Sequence, residues 1–182
     1  TEGDFCCKTG DECFDTIAEL IKATAEYKHI RVVNVTGATF SNSGSTIVEE
    51  LAFTLSAAHE YLVKLMERGL TIDEVARKIR FSFAVTANYF MEMAKFRAAR
   101  LLWANIVKAY NPEKQCACKL FAHAVTSAWN QTVYDPYVNM LRGTTEAMSA
   151  AIAGVHSLEV LPFDYAFEAP TEFSQRIARN SE

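Results

Sequence analysis

Glycine is scarce, and the seven present in 182 residues are scattered, so no glycine-rich phosphate loop forms. The small polar run Gly37 to Gly44 lacks both the lysine of a P-loop and the Gly-x-Gly-x-x-Gly spacing. Basic charge is in deficit as well. Eighteen Lys and Arg against 22 Asp and Glu leave a net charge of -4, which provides no field for polyphosphate and argues against a nucleic-acid partner. Long apolar runs are missing too. The strongest, around Phe81 to Val85, falls far short of the roughly 20 residues a membrane span requires, and the start has no signal-peptide pattern. No membrane partner and a cytoplasmic location are therefore expected. Five cysteines, Cys6, Cys7, Cys13, Cys116 and Cys118, make an odd count whose spacings match no zinc knuckle. They read as reduced thiols, with no metal site.

Half of the residues are apolar, and their periodicity carries the fold. Asp11 to Tyr27 has the helical pattern, with Ile17, Leu20, Ile21 and Ala25 on one face. His29 to Thr36 reads as a strand covered on both faces, because Ile30, Val32, Val33 and Val35 are nearly continuous. After a loop over Gly37 to Gly44, Thr46 and Glu49 have capping-box spacing and start a long helix that Gly69 ends. Thr71 and Glu74 repeat the box for a short helix, and Ile79 to Val85 forms a second strand. The helix from about Asn88 to Tyr110 is apolar nearly all round, from Tyr89, Phe90 and Met91 to Leu101, Leu102 and Trp103, which predicts burial on more than one side. Lys119 to Val125 gives a third strand. A helix capped by Asp135, with Pro136 in its first position and Gly154 after its end, leads to a fourth strand near Ser157 to Leu161 and a last helix from Thr171.

This alternation predicts an α/β fold with about four parallel strands, one domain over residues 1–182. A closed (β/α)8 barrel of the TIM type takes about 250 residues, so four strands make a partial barrel, its C-terminal half. The rival is an open, doubly wound four-stranded sheet. Beginning at Thr1 and opening into loop-like sequence, the chain reads as a piece of something larger.

The residues alone name few chemical candidates. His29, His59, His123 and His156 have no paired metal-ligand spacing, and His59 beside Glu60 reads as solvent-facing. His123 shares a strand face with Phe121 and Val125 and is either a satisfied core histidine or a ligand or acid/base group. Trp129 follows the third strand, as a packing anchor or at a barrel's active mouth. Lys95, Arg97 and Arg100 read as side chains that snorkel or bridge helices. Ser41, Ser43, Ser45 and Thr46 have no His/Asp pair to place beside them, which rejects a serine hydrolase.

Three segments speak more specifically: Lys95-Phe96-Arg97-Ala98-Ala99-Arg100-Leu101-Leu102-Trp103, then Asp135-Pro136-Tyr137, then Pro170 to Asn180. Together they resemble the catalytic-barrel sequence of methylmalonyl-CoA mutases, adenosylcobalamin-dependent isomerases, over about Val33 to Asn180. The resemblance makes substitutions readable. Where active members carry a Tyr-His pair that contacts substrate and cobalamin, this chain has Ala38 and Thr39. Val125 replaces a substrate-contacting Gln, Asn42 and Tyr165 replace carboxylates near the adenosyl group, and Ala128 replaces a glycine. The resemblance leaves His123, Trp129 and Ala166 as cofactor-side remnants and Lys78 in place of an Arg that meets the CoA tail, while Arg80 replaces a CoA-contacting Ser.

Taken so, the resemblance implies no catalytic residue in this chain and a lumen filled like an ordinary core. It implies a fragment of the catalytically silent small subunit, paired in a heterodimer with the catalytic large subunit, which holds the adenosylcobalamin. An isolated half-barrel is expected to self-associate. The alternatives are an active acyl-CoA mutase with a site rearranged around His123, Trp129 and Lys78, and a stand-alone interaction module.

Overall fold

Thr46 and Thr71 each start a helix in the computed structural model, which describes residues 10–181. In both, the hydroxyl accepts from the backbone N–H three residues on, and that residue's glutamate accepts the threonine's own N–H at 2.8 Å. Two orphan donors are satisfied at each start. In chain order the elements are α1 (Gly10–Ala23), β1 (Val33–Thr36), α2 (Ala38–Asn42), α3 (Ile47–Met66), α4 (Ile72–Ala76) and β2 (Ile79–Val85). Then come α5 (Tyr89–Lys108), a 3-10 turn (Gln115–Cys118), β3 (Ala122–Thr126), α6 (Val138–Ala153), β4 (Ser157–Glu159) and α7 (Glu172–Ser181).

The four strands are parallel and lie in sequential order, β1-β2-β3-β4. Sequential order with the crossover helices on one face is barrel winding, whereas a doubly wound sheet reverses direction and is covered on both faces. Val33, Val35, Ile79, Phe81, Phe83, Ala122 and Ala124 share one core with Leu55 and Leu62 of α3 and Phe96 and Trp103 of α5. Phe81 meets Trp103 edge-on at 4.7 Å between ring centroids, and Phe83 meets Phe96 in the same way at 5.8 Å. The alternate row of the sheet is exposed on β1, at Asn34 and Thr36, while on β2 it is half-buried at Arg80 and buried at Ser82 and Ala84.

Several expectations need correction. The first strand starts at Val33 and not at His29, because β2 begins at Ile79, which is the partner of Val33, and earlier residues have no strand to pair with. Ile30 is exposed. Only one face of β1 is covered. Helix α1 stops at Ala23, so Ala25 lies outside it and Leu20 faces outward. The expected loop from Gly37 contains α2, which begins at once because Gly37 packs against α3. A Cβ there would overlap the Thr54 hydroxyl.

Asp135 does not cap α6. It accepts a turn bond from Val138 N–H at 3.2 Å, and Asn139 pins this turn by bonding both backbone groups of Thr132 at 2.9 Å. Gly154 does end α6 in the left-handed conformation, with φ of 73°. Helix α5 is buried on one side only, since Phe90, Met91, Leu101 and Leu102 are exposed. Arg100 bridges it to the end of α6 by donating to Gly154 O at 2.6 Å. His59 is not simply solvated, for its Nε2 lies 2.7 Å from the Tyr110 hydroxyl. Cys6 and Cys7 lie outside the described residues, while Cys116 and Cys118 are unbridged thiols on the 3-10 turn. Among the described residues no helix is long and apolar enough to cross a membrane. Thr46→Ala should lower stability by about 1 kcal/mol in urea unfolding, the usual cost of a lost cap.

Candidate functional site

The carboxyl ends of parallel strands in a barrel form its reactive mouth. Here that rim is held by buried charge. Lys95 of α5 is inaccessible to solvent, and its ammonium lies 2.7 Å from Glu50 Oε2, 2.6 Å from Glu92 Oε2 and 2.6 Å from the Ala84 carbonyl. Glu50 Oε1 accepts the Ala84 N–H at 2.9 Å, and Glu92 Oε1 accepts both the N–H and the hydroxyl of Thr86. The end of β2 is thereby clamped from two helices. Burial pushes the Glu50 carboxyl above its ordinary value, although Lys95 pulls the other way.

A second clamp holds the end of β3. Glu146 of α6 accepts from Ser127 N–H at 3.1 Å and from Asn130 Nδ2 at 2.8 Å. Its environment is poorly compensated: burial, with nearby Glu92 adding to it, raises the carboxyl to about 7 against the opposing pull of those two donors and Arg142.

The named residues fall into three places. Ala38 and Thr39 open α2 directly beyond β1, and Trp129 stands beyond β3, 65% exposed, with its indole lying against Gly44. The Ser127 hydroxyl reaches Asn42 Oδ1 at 3.5 Å, so the loops after β1 and β3 meet. Val125 lies inside β3 on the uncovered face, between Ala84 and Glu159. Ala166 is exposed on the connection from β4 to α7. Lys78 sits at the opposite, amino end of the sheet, where its Nζ donates to the carbonyls of Thr24 and Tyr27 at 2.5 and 2.9 Å. Its basicity is lowered by burial first and then by Arg31 and Arg77.

His123 is not a core residue. It stands on the uncovered face between Ser82 and Ser157, with Nδ1 2.8 Å from the Ser157 hydroxyl and Nε2 3.6 Å from Glu159. Burial and then Arg80 hold its pKa below the ordinary value, with Glu159 pulling the other way. The row on this face mixes polar with apolar side chains, Arg80, Ser82 and His123 with Ala84, Phe121 and Val125. Asn34 Oδ1 accepts from Arg80 Nε at 3.1 Å and from Ser82 Oγ at 2.7 Å. Arg80, Asn34, Phe121 and Ser157 line a cavity of about 340 Å³ there. Among the described residues no group of three or more His, Cys, Asp or Glu forms a metal site.

Sequence reasoning missed the clamps. Glu92 and Lys95 are spaced i, i+3 inside an apolar helix, which is a readable hint of a buried pair, but Glu50 and Glu146 come from distant helices with no such signal.

Residues 5–182 match the family model described as Methylmalonyl-CoA mutase. The chain belongs to this family. The match begins well before Val33, so the family likeness reaches further toward the start than the quoted segments indicated. The small subunit of methylmalonyl-CoA mutase from Porphyromonas gingivalis is 48% identical over 164 residues, 90% of this chain and 26% of that protein. A methylmalonyl-CoA mutase of Rhizobium meliloti is 42% identical over 91% of the chain and 24% of its own length. The large subunit from P. gingivalis is 37% identical over 91% of the chain. The chain thus spans about a quarter of the length of these mutases.

Two outcomes follow from the clamps. Lys95→Met should strand two buried carboxylates and cost about 3–5 kcal/mol, read by denaturant unfolding. A carboxyl raised on folding contributes stability that is complete below its ordinary pKa of 4.5 and lost as pH rises through about 7. Glu146→Gln should therefore flatten the fall in melting temperature across that window, where the raised pKa is worth about 3 kcal/mol.

Proposed function

We propose that this chain is part of the small subunit of a methylmalonyl-CoA mutase and that it serves the isomerisation of methylmalonyl-CoA and succinyl-CoA as a scaffold without catalysing it. The observation that carries this reading is the rim. Ala38, Thr39 and Val125 offer methyl groups and one exposed hydroxyl where the family's active members place a Tyr-His pair and a Gln. Losing a well-placed donor costs about 3 kcal/mol of transition-state stabilisation, and three are gone.

Adenosylcobalamin supplies the radical chemistry of this family when bound, and the residues of this rim do not fit it. Trp129 is packed on Gly44, and Ala166 has no polar group to offer. The cofactor is assigned to a catalytic large subunit, the heterodimer partner. Separate small and large subunits in P. gingivalis support that arrangement. A cytoplasmic location belongs to the same proposal. The partner gains stability by mass action when such a scaffold binds only its folded form.

One observation favours a second reading, an active mutase with a rearranged site: His123 is oriented by Ser157, 2.8 Å from its Nδ1. Spectral titration of the intact small subunit with adenosylcobalamin, together with an acyl-CoA turnover assay free of the large subunit, separates the two. The scaffold reading expects no spectral shift and no turnover; turnover by the lone subunit would establish the rearranged site in its place.

A further inference from the structure

The two clamps at the mouth differ in one respect. The carboxylates at the end of β2 share an ammonium, whereas Glu146, 2% exposed, forms no ion pair among the described residues. Its two oxygens are divided between donors of the segment that carries Trp129. Oε2 faces the Ser127 N–H and Oε1 faces Asn130 Nδ2.

This pair of donors suits the two protonation states unequally. A neutral Glu146 has one O–H to give, so Oε2 keeps the Ser127 N–H while the Oε1 hydroxyl needs an acceptor at the position of Asn130 Nδ2. Asparagine supplies one by turning its amide over, Oδ1 in place of Nδ2, with no change in the backbone. The neutral arrangement is then fully bonded. An ionised Glu146 keeps both donors as they stand, but it is a desolvated charge with only the more distant pull of Arg142. Burial outweighs that pull and both donors together.

The surroundings do not relieve it. From α5 the carboxyl meets the charge of Glu92, and Lys95 is engaged by Glu92 and Glu50. The core-facing rows of β2 and β3 are apolar apart from Thr126, and the buried residues of α7 are Ser174 and Ala178. On β4, Glu159 pairs with His123 on the opposite face of the sheet, and Asp164 beyond it accepts from Thr171. Hydration is what remains.

What can yield to let water in is the loop, not the helix. Gly143, Ala147 and Ala150 of α6 are buried, which fixes Glu146 from behind. The Ser127 N–H also reaches Val85 O at 2.9 Å, so the strand end keeps a bond in either state. Residues 128–131 have less to hold them. Apart from the Asn130 bond, they have a turn bond from Gln131 N–H to Ala128 O at 3.2 Å, the Gln131 side chain on Pro162 O at 3.3 Å, and the half-open packing of the Trp129 indole on Gly44.

We propose that Glu146 and Asn130 form a proton-operated latch at the mouth: the neutral carboxyl holds residues 128–130 down, and its ionisation releases them and lifts Trp129 from Gly44. A carboxyl raised to about 7 in the closed arrangement, and returning toward its ordinary 4.5 when hydrated, favours the open arrangement as pH rises. The mouth is closed below neutral pH and loosened above it. The latch depends on the loop and α6 alone, so it stands whether or not the rim is catalytically silent.

The test is fluorine NMR of the intact protein carrying fluorinated tryptophan, with the Trp129 resonance assigned by its loss in Trp129→Phe. Between about pH 5.5 and about pH 8.5 this resonance should move with a midpoint near 7. Glu146→Gln, which can donate to Asn130 Oδ1 and accept from Ser127 at any pH, should hold it at the low-pH position throughout. Asn130→Ala, which removes the catch, should hold it at the high-pH position, a split that a merely structural role would not produce. Hydrogen exchange of residues 127–132, compared at each pH with Glu146→Gln so that the intrinsic pH dependence cancels, should be equal at the acid end and several-fold faster in the unaltered protein at the alkaline end. Melting curves check that each variant is folded, and Glu146→Gln carries the test if Asn130→Ala is not. A Trp129 resonance that ignores pH, a midpoint unchanged in Glu146→Gln, or a loop that exchanges faster at the acid end overturns the proposal.

Discussion

The ammonium of Lys95 lies in the centre of the helix layer, surrounded by oxygens of Glu50, Glu92 and Ala84 and flanked by the rings of Phe83 and Phe96. It joins α3, α5 and the end of β2 at one point. Such a buried ion cluster is poor value as stabilisation, because desolvation offsets most of its attraction. Its use here is positional. Among the described residues Lys95 is the cation paired with both carboxylates, so the helices must sit where it can neutralise them, and the strand end follows. Glu146 extends the same principle to β3 with neutral donors and only the more distant pull of Arg142. Its burial outweighs that pull and pushes the carboxyl to about 7.

The two faces of the sheet were not equally legible. The long helices and the strands against the apolar side had a sequence signal, because capping boxes, the left-handed Gly154 and runs such as Ile79 to Val85 are local, whereas short α2 had none. The other side was less legible: Asn34 bonds Arg80 and Ser82 across strands and His123 meets Ser157, and cross-strand register is a tertiary fact. The same limit explains Asp135, whose capping signal was outcompeted by the side chain of Asn139.

The rim itself was legible as substitution rather than as structure. The resemblance singled out Ala38, Thr39 and Val125, and the fold adds that the segments carrying the first two and Trp129 meet through Ser127, Asn42 and Gly44. Lys78, grouped with them by resemblance, is at the other end of the sheet and is engaged by carbonyl oxygens. Residues that the resemblance grouped therefore have different environments.

Both clamps grasp main-chain atoms: the N–H and C=O of Ala84 and the N–H groups of Thr86 and Ser127. An amide is present whatever side chain its residue bears. The frame at the mouth is therefore anchored through atoms that a change of side chain at Ala84 or Ser127 leaves in place.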